Sequence, residues 1–268
     1  MNPPIVINKH AVKKLDGSII HINVIRDDLL AGGTKQRALI KFIEYYNNYE
    51  EFVYVGPASG FAQIALTIVC MKLCKQVTLF ILNSPNYDPY LSLICEKLGA
   101  KITIFYEKMS DVKEKALSYV KYKSKVMLIP FGLNSEIYNE FLLEQLSDAI
   151  PAHIVPKRLW MAVGSGTIIR ALGRIWLQTE FMPVQVGKHL LQEHYTEDLW
   201  YRLGGQERIN KLMAPQRFFE PVSNNLLPPY PSANNYDAKV WQHILKYGQN
   251  DDYIWNVAAE NEILKYNY

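Results

Sequence analysis

Three short segments of this 268-residue chain carry side chains whose types and spacing suit covalent or acid–base chemistry. In RDDLLAGGTKQRAL, Arg26 to Leu39, Gly32 and Gly33 stand just before Lys35, where a helical pattern begins. Glycines let the backbone turn tightly, and a lysine held at such a turn beside a cleft is partly desolvated. Its pKa then falls, and the amine becomes a nucleophile or an imine former. A solvated lysine after a loop is the plainer alternative for this segment taken alone. A nucleotide P-loop is excluded, because that motif needs Gly-Lys-Ser/Thr and the order here is Gly-Thr-Lys.

In AVGSGTIIRALGRIW a strand ends at Val163, the loop Gly164-Ser165-Gly166-Thr167 follows, and an amphipathic helix begins. Free backbone N–H groups and the helix dipole favour an anion there, and Ser165 and Thr167 add hydroxyls. Ile169 stands where the third glycine of a dinucleotide fingerprint falls, which favours a single phosphate over NAD. The alternative is an ordinary strand-to-helix turn capped by Ser165 or Thr167. In PPYPSANNYDAKVW, a proline-rich approach leads to Tyr236-Asp237 at a helix start. Asp237 either favours the helix N-terminus or bonds a protonated ring nitrogen, and Tyr236 is placed to stack on a substrate or donate a proton. A fourth turn, Gly56 to Gln63 (GPASGFAQ), puts small residues and the Ser59 hydroxyl at the end of a strand, where packing explains the glycines almost as well.

These segments need a scaffold, and the chain reads as α/β. From about residue 52 short β-branched runs (FVYVG, VTLFIL, KITIFY, KVMLIP) alternate with helical spacing over 62–73, 90–98, 111–122 and 137–146, the signal of βαβ units and a parallel sheet. RLWMAV and PVQV form a second set of strands, with 167–177 as their crossover helix, and Asp16-Gly17 between two alternating runs signals a hairpin. Five prolines between Pro215 and Pro231 exclude a helix or central strand there. Helical spacing resumes over 236–247, and the pattern beyond it is ambiguous. Two sheet-based lobes meeting near Ile150-Pro151 fit best, with the ligand at the carboxyl ends of the strands.

Composition narrows the function classes. Hydrophobic residues at 49% and charged residues at 21% describe an ordinary globular chain. Net charge is +3 from 29 basic and 26 acidic residues, too mild to demand nucleic acid. The longest apolar stretch, 61–73, is broken by Gln63, Thr67 and Lys72 and is shorter than the roughly 18 residues a span needs. No membrane association is expected, and the opening MNPPIVINKH lacks a secretory pattern, so a cytoplasmic location is expected. Cys70, Cys74 and Cys95 read as buried free thiols. His153, His189, His194 and His243 lack mutual metal spacing and read as surface or core residues, and no metal is expected.

In order and spacing the segments resemble the fold-type II pyridoxal-phosphate enzymes, most closely the branch of aminocyclopropane-carboxylate deaminase and D-cysteine desulfhydrase, over about 26–241. RDDLLAGGTK is similar to the branch's arginine-aspartate-aspartate and glycine-glycine-asparagine-lysine signature, with Thr34 in place of the asparagine. The resemblance implies that Lys35 carries pyridoxal 5'-phosphate as a Schiff base, and that Gly164, Ser165, Gly166 and Thr167 bind its phosphate. YDAK resembles the branch's tyrosine-glutamate-glycine-lysine, which implies Asp237 as partner of the pyridine nitrogen and Tyr236 at the substrate. The asparagine that contacts the ring in the family has no counterpart in PASGFAQ; Ser59 is the candidate for that cofactor-binding and catalytic position, and Gln63 is kept as in the branch.

The implied fold is two-lobed and tryptophan synthase β-like, each lobe a mostly parallel sheet flanked by helices. Residues 1–47 with 150–268 form the large cofactor-binding lobe and 48–149 the small one. The implied function is deaminase or lyase chemistry at the α-carbon of an amino acid or amino-acid-bearing substrate, in a homodimer. Two alternatives stand beside it: a decarboxylase or lyase acting on an aminoacyl group attached to a nucleotide or nucleic acid, and an inactive scaffold serving as a binding or structural subunit. A nucleotide-binding domain using the Gly164 loop alone is the remaining class.

Overall fold

The structure is a computed structural model, described here for residues 3–187 and 195–260. Strands β1 (Ile7–Lys13) and β2 (Ile19–Arg26) form an antiparallel hairpin. Its turn uses Gly17 at φ +86° and the Asp16 carboxylate, which accepts from both the Ser18 N–H and hydroxyl. Alternation along β2 sends Ile20, Ile22 and Val24 inward.

The chain then leaves this sheet to build a second one. Helix α1 (Gln36–Tyr45) is followed by β3 (Glu51–Pro57), α2 (Ala62–Lys72), β4 (Gln76–Leu82), α3 (Tyr90–Lys97), β5 (Lys101–Phe105), α4 (Met109–Val120) and β6 (Val126–Ile129). Strands β5-β4-β3-β6 lie side by side in that order, all parallel, as the alternating pattern predicts. β3 is buried throughout, which is why FVYVG shows no polar face: helices cover both sides of a parallel sheet. Helix α2 is likewise buried over Ala62–Cys70.

After α5 (Glu136–Ala149) the chain returns to the first sheet with β7 (Arg158–Val163), α6 (Thr167–Ile175) and β8 (Glu180–Gln185). Two short helices, α7 (Glu197–Arg202) and α8 (Gly205–Lys211), precede the irregular proline-rich stretch; α9 (Trp241–Tyr247) and β9 (Asp252–Asn256) complete the described chain. The first sheet runs β1-β2-β9-β7-β8. The ambiguous C-terminal stretch is therefore a central strand, parallel to both β2 and β7. Its register is pinned by buried Asp252, which accepts from the Trp160 indole at 2.7 Å and the Gln249 N–H at 2.9 Å.

Helices α1, α2, α5 and α6 pack against one another between the sheets. A single apolar cluster contains Leu39, Phe42, Phe52, Leu79, Leu159 and Trp255, so residues of both sheets share one core. No helix among the described residues is long and apolar enough to cross a membrane.

Two expectations about local structure change. Cys70 and Cys95 are buried, but Cys74 is exposed: α2 stops at Lys72, and Cys74 lies beyond it at φ +53°. The helix expected over 236–247 begins as a 3-10 turn at Asp237–Val240 and becomes α-helical only at Trp241. His153 is exposed and His243 buried, its ring bonded to the Met213 carbonyl; His189 and His194 lie outside the described residues.

The Arg-Asp-Asp segment is an anchor. Asp27 and Asp28 are fully buried; Arg26 donates to both Asp28 oxygens at 2.8 and 2.7 Å, and Arg37 on α1 donates through Nε to Asp27 at 2.9 and 3.1 Å. These pairs tie the end of β2 to the first turn of α1, on either side of Lys35. Asp27→Asn leaves the Arg37 charge without its carboxylate and is expected to cost about 3–5 kcal/mol in urea unfolding. Lys9→Ala, which removes an exposed pair with Asp251, is expected to leave the midpoint unchanged. Equal midpoints for both variants would remove the anchoring role from Asp27.

Candidate active site

The candidate residues collect beyond the carboxyl ends of parallel strands: the Lys35 turn after β2, Ser59 after β3, the Gly164 loop after β7, and Val257 after β9. This is the edge where open α/β sheets bind ligands.

The Lys35 turn is tight for a visible reason. A Cβ at Gly32 would overlap the backbone of Ala65 in α2, and one at Gly33, which sits at φ +68°, would overlap the Val257 carbonyl. That carbonyl accepts from Thr34 N–H at 3.1 Å, and the Trp255 indole donates to the Thr34 hydroxyl at 2.8 Å. Thr34 is thus a wholly buried tether between the turn and the last strand. The Lys35 carbonyl accepts from the Tyr138 phenol of α5 at 2.7 Å. Held from both sides, Lys35 caps α1 and is half-buried; no carboxylate among the described residues pairs with its amine. Burial lowers the amine's pKa from 10.5 to about 8.

A second lysine is brought to about 8 by burial, Lys239 of the YDAK segment. Its ammonium is committed, however, donating to the Arg217 carbonyl at 2.8 Å and the Phe218 carbonyl at 3.3 Å, where it fastens the proline-rich stretch. Of these two lysines, only Lys35 has a free amine among the described residues.

In the Gly164–Thr167 loop the N-cap of α6 is Gly166 at φ +76°, and neither hydroxyl caps the helix. The Thr167 hydroxyl donates to the Gly132 carbonyl at 3.0 Å and lies 2.9 Å from Ser165 Oγ. With Thr167's proton so used, Ser165 is the donor between the two hydroxyls. No carbonyl or side chain among the described residues accepts the N–H of Ser165, Gly166 or Thr167. Those three donors and the dipole of a nine-residue helix make an anion cradle of backbone, not of hydroxyls.

Tyr236 and Asp237 meet this layer from the other side. The Tyr236 phenol bonds the Gly164 backbone and points toward the Ala162 carbonyl at 3.5 Å; a Cβ at Gly164 would stand 3.1 Å from it. Burial, reinforced by the neighbouring Asp237 charge, pushes its pKa up, so it remains a protonated donor. The buried Asp237 carboxyl does not cap its own 3-10 turn. It accepts from Val257 N–H at 3.0 Å and Ala258 N–H at 3.2 Å. Burial nonetheless raises its pKa well above the usual range, with the two N–H bonds opposing that rise.

Ser59 is buried in the turn after β3, where Gln63 holds the backbone by donating to the Ala58 carbonyl at 2.9 Å and accepting from Ser92. Ser59 makes no hydrogen bond to Lys35, the Gly164 loop or Asp237. The supporting residues that sequence reasoning misses are Tyr138, Tyr54, whose phenol is bonded by the Gly132 backbone, and the Val257-Ala258 pair. Nothing in their local sequence marks them, since each acts through tertiary contacts alone.

No family model matches the chain, and no curated protein matches it in sequence. Among solved structures it is similar to an ACC deaminase homologue at 14% identity, over 92% of this chain and 89% of that one, with a TM-score of 0.66. It is also similar to a hydrogen sulfide-producing enzyme from Fusobacterium nucleatum (15% identity, 97% and 96% covered, TM-score 0.60). An O-acetylserine-dependent cystathionine β-synthase from Helicobacter pylori matches at 13% identity, with 97% and 94% covered and a TM-score of 0.62. The chain therefore has the α/β fold of fold-type II pyridoxal-phosphate enzymes, parallel sheets flanked by helices.

The lowered Lys35 pKa has a direct consequence. Because the folded value of about 8 lies below the ordinary 10.5, the charged amine disfavours the folded state below pH 8, and this cost fades as pH rises from 8 to 10.5. Competitive acylation read by peptide mass spectrometry is expected to give Lys35 a labelling midpoint near pH 8. A Lys35 midpoint above 10 would show a solvated lysine.

Proposed function

We propose that the protein is a pyridoxal 5'-phosphate-dependent enzyme of deaminase or lyase type, acting at the α-carbon of an amino acid or amino-acid-bearing substrate. The observation that carries this reading is a half-buried lysine amine with no carboxylate partner among the described residues, in the same strand-end layer as a cradle of backbone N–H groups that no described residue accepts. When bound, the cofactor would act as an electron sink for the bond broken at the α-carbon.

The residues suit that group. Lys35 would hold it through an amine whose pKa of about 8 lets it gain or lose a proton close to neutral pH. Gly164, Ser165, Gly166 and Thr167 would hold its phosphate, mainly through the three free N–H groups. Asp237 is a buried carboxyl with no cation bonded to it among the described residues, and a protonated ring nitrogen would supply that missing charge. Its two backbone bonds fix the carboxyl plane beforehand. Tyr236, kept protonated, would donate a proton at the substrate, and Ser59, at the carboxyl end of β3, would contact it from the remaining side. We assign the cofactor to a lobe of residues 1–47 and 150–268 and give 48–149 to a smaller lobe; α5 of the latter packs on α1 and α6 of the former.

The test is to titrate the purified protein with pyridoxal phosphate, follow the visible spectrum, reduce with borohydride and locate the added mass. The expected result is a reducible band in the wild type, none in Lys35→Ala, and a pyridoxyl group on the Lys35 peptide. Asp237→Asn is expected to retain binding and weaken amino-acid turnover by at least about tenfold. No band in the wild type, or mass on Lys239, would overturn the reading.

A further inference from the structure

The molecule has a second place where buried polar groups lack partners, on the outer side of α6. A cavity of about 710 Å³ opens between α5, α6 and α7, and Asn134, Asn139, Arg170, Arg174, Tyr195 and Arg202 are among its lining residues. Arg174 is paired with Glu140, and Arg202 with Asp198 and with the Gly173 and Trp176 carbonyls. Arg170 is different: its Nε and Nη2 are buried and have no hydrogen-bond partner among the described residues. These two N–H groups form one edge of the guanidinium, the fork that takes the two oxygens of a carboxylate or phosphate.

Tyr195 stands beside that fork. The guanidinium lies 5.5 Å from its ring centre, and its hydroxyl is also buried and unpartnered. A third unpartnered atom is Asn139 Oδ1, whose amide nitrogen donates to Asn134. A buried cation and a buried hydroxyl left unmade are each unfavourable, and one oxyanion would satisfy both. The Tyr195 hydroxyl also lies directly against Gly166, where a Cβ would collide with it, so the cavity and the Gly164–Thr167 cradle share a wall.

We propose that Arg170 and Tyr195 form an oxyanion site, distinct from the cradle, that binds a carboxylate or a phosphate monoester. Arg170 holds two of its oxygens, the Tyr195 hydroxyl donates to one of them, and Asn139 Oδ1 accepts from a hydroxyl or amine on the same ligand. Because Tyr195 touches Gly166, occupancy of this site bears on the loop at the start of α6.

The site is tested by calorimetric titration of the whole chain with inorganic phosphate and, separately, with glycolate, at constant ionic strength in chloride. Both titrations are run before and after saturation with pyridoxal phosphate. At least one of the two anions is expected to bind once per chain after saturation, and whichever binds more tightly identifies the ligand source. Arg170→Gln and Arg170→Lys are each expected to weaken that binding by about tenfold or more with affinity for pyridoxal phosphate unchanged, and Tyr195→Phe to weaken it by about threefold to tenfold. Arg170→Lys keeps the charge without the fork and guards against misfolding. Loss of anion binding on saturation, weaker pyridoxal phosphate binding in the Arg170 variants, or wild-type anion affinity in Arg170→Lys would overturn the proposal. It does not rest on the proposed cofactor: if pyridoxal phosphate does not bind, the same titrations of the wild type and the Arg170 variants carry the test, since Arg170 is no part of the cradle.

Discussion

One residue, Val257, connects most of what matters in this molecule. The N–H of Val257 goes to the Asp237 carboxyl and its carbonyl takes the Thr34 N–H, so the turn that carries Lys35 and the segment that carries Asp237 are fixed to the same short stretch of backbone. That stretch leaves β9, a strand of five residues set between β2 and β7. A central strand is held on both edges, which makes it a rigid mount for groups that must keep their mutual position. The glycines of the Lys35 turn follow from the same constraint. Gly33 faces the Val257 carbonyl so closely that no side chain fits, and Gly32 faces α2 in the same way.

Buried charge is handled in two ways within a short distance along the chain. Asp27 and Asp28 are fully buried, and each is met by an arginine in multiple hydrogen bonds. Lys35 has no ion-pair partner among the described residues, and burial moves its pKa toward neutrality. Asp237 is met among the described residues by two backbone N–H groups and no cation, and burial pushes its pKa up. A fold needs the first arrangement, because an unpaired ion in its core would be strongly destabilising. The second arrangement adds nothing to stability, and at a strand-end layer it is the arrangement that a ligand with complementary charge would complete. Arg170 and Tyr195 show the same signature on the far side of α6.

Much of the scaffold was legible before any coordinates. The parallel strands read near 52, 77, 101, 125, 158 and 183 all form, the last beginning three residues earlier at Glu180, and the hairpin shows in Asp16-Gly17. The glycines before Lys35 and at the head of α6 mark turns that only small residues permit. The last strand was not legible, because DYIWN is short, follows a polar stretch, and owes its place to Asp252 reaching Trp160. Cys74 reads as buried with its apolar neighbours, yet it lies just past the helical spacing, where the left-handed backbone at φ +53° leaves it exposed.

Residue types and spacing by themselves determined which atoms are available for chemistry: one amine after paired glycines, one backbone loop ahead of an amphipathic helix, one carboxyl beside a phenol. They also determined the α/β class, since hydrophobic periodicity is set by local geometry and is read residue by residue. Only the tertiary structure decided what each group does. It committed the Lys239 ammonium to two carbonyls and left the Lys35 amine free, though both are lysines beside candidate motifs. It turned the Ser165 and Thr167 hydroxyls inward, leaving the backbone to form the cradle, and aimed Asp237 at a strand 20 residues downstream. Burial and hydrogen-bond partners are properties of the assembled sheets. A pKa or a free donor arises from groups far apart in the chain, which no local pattern brings together.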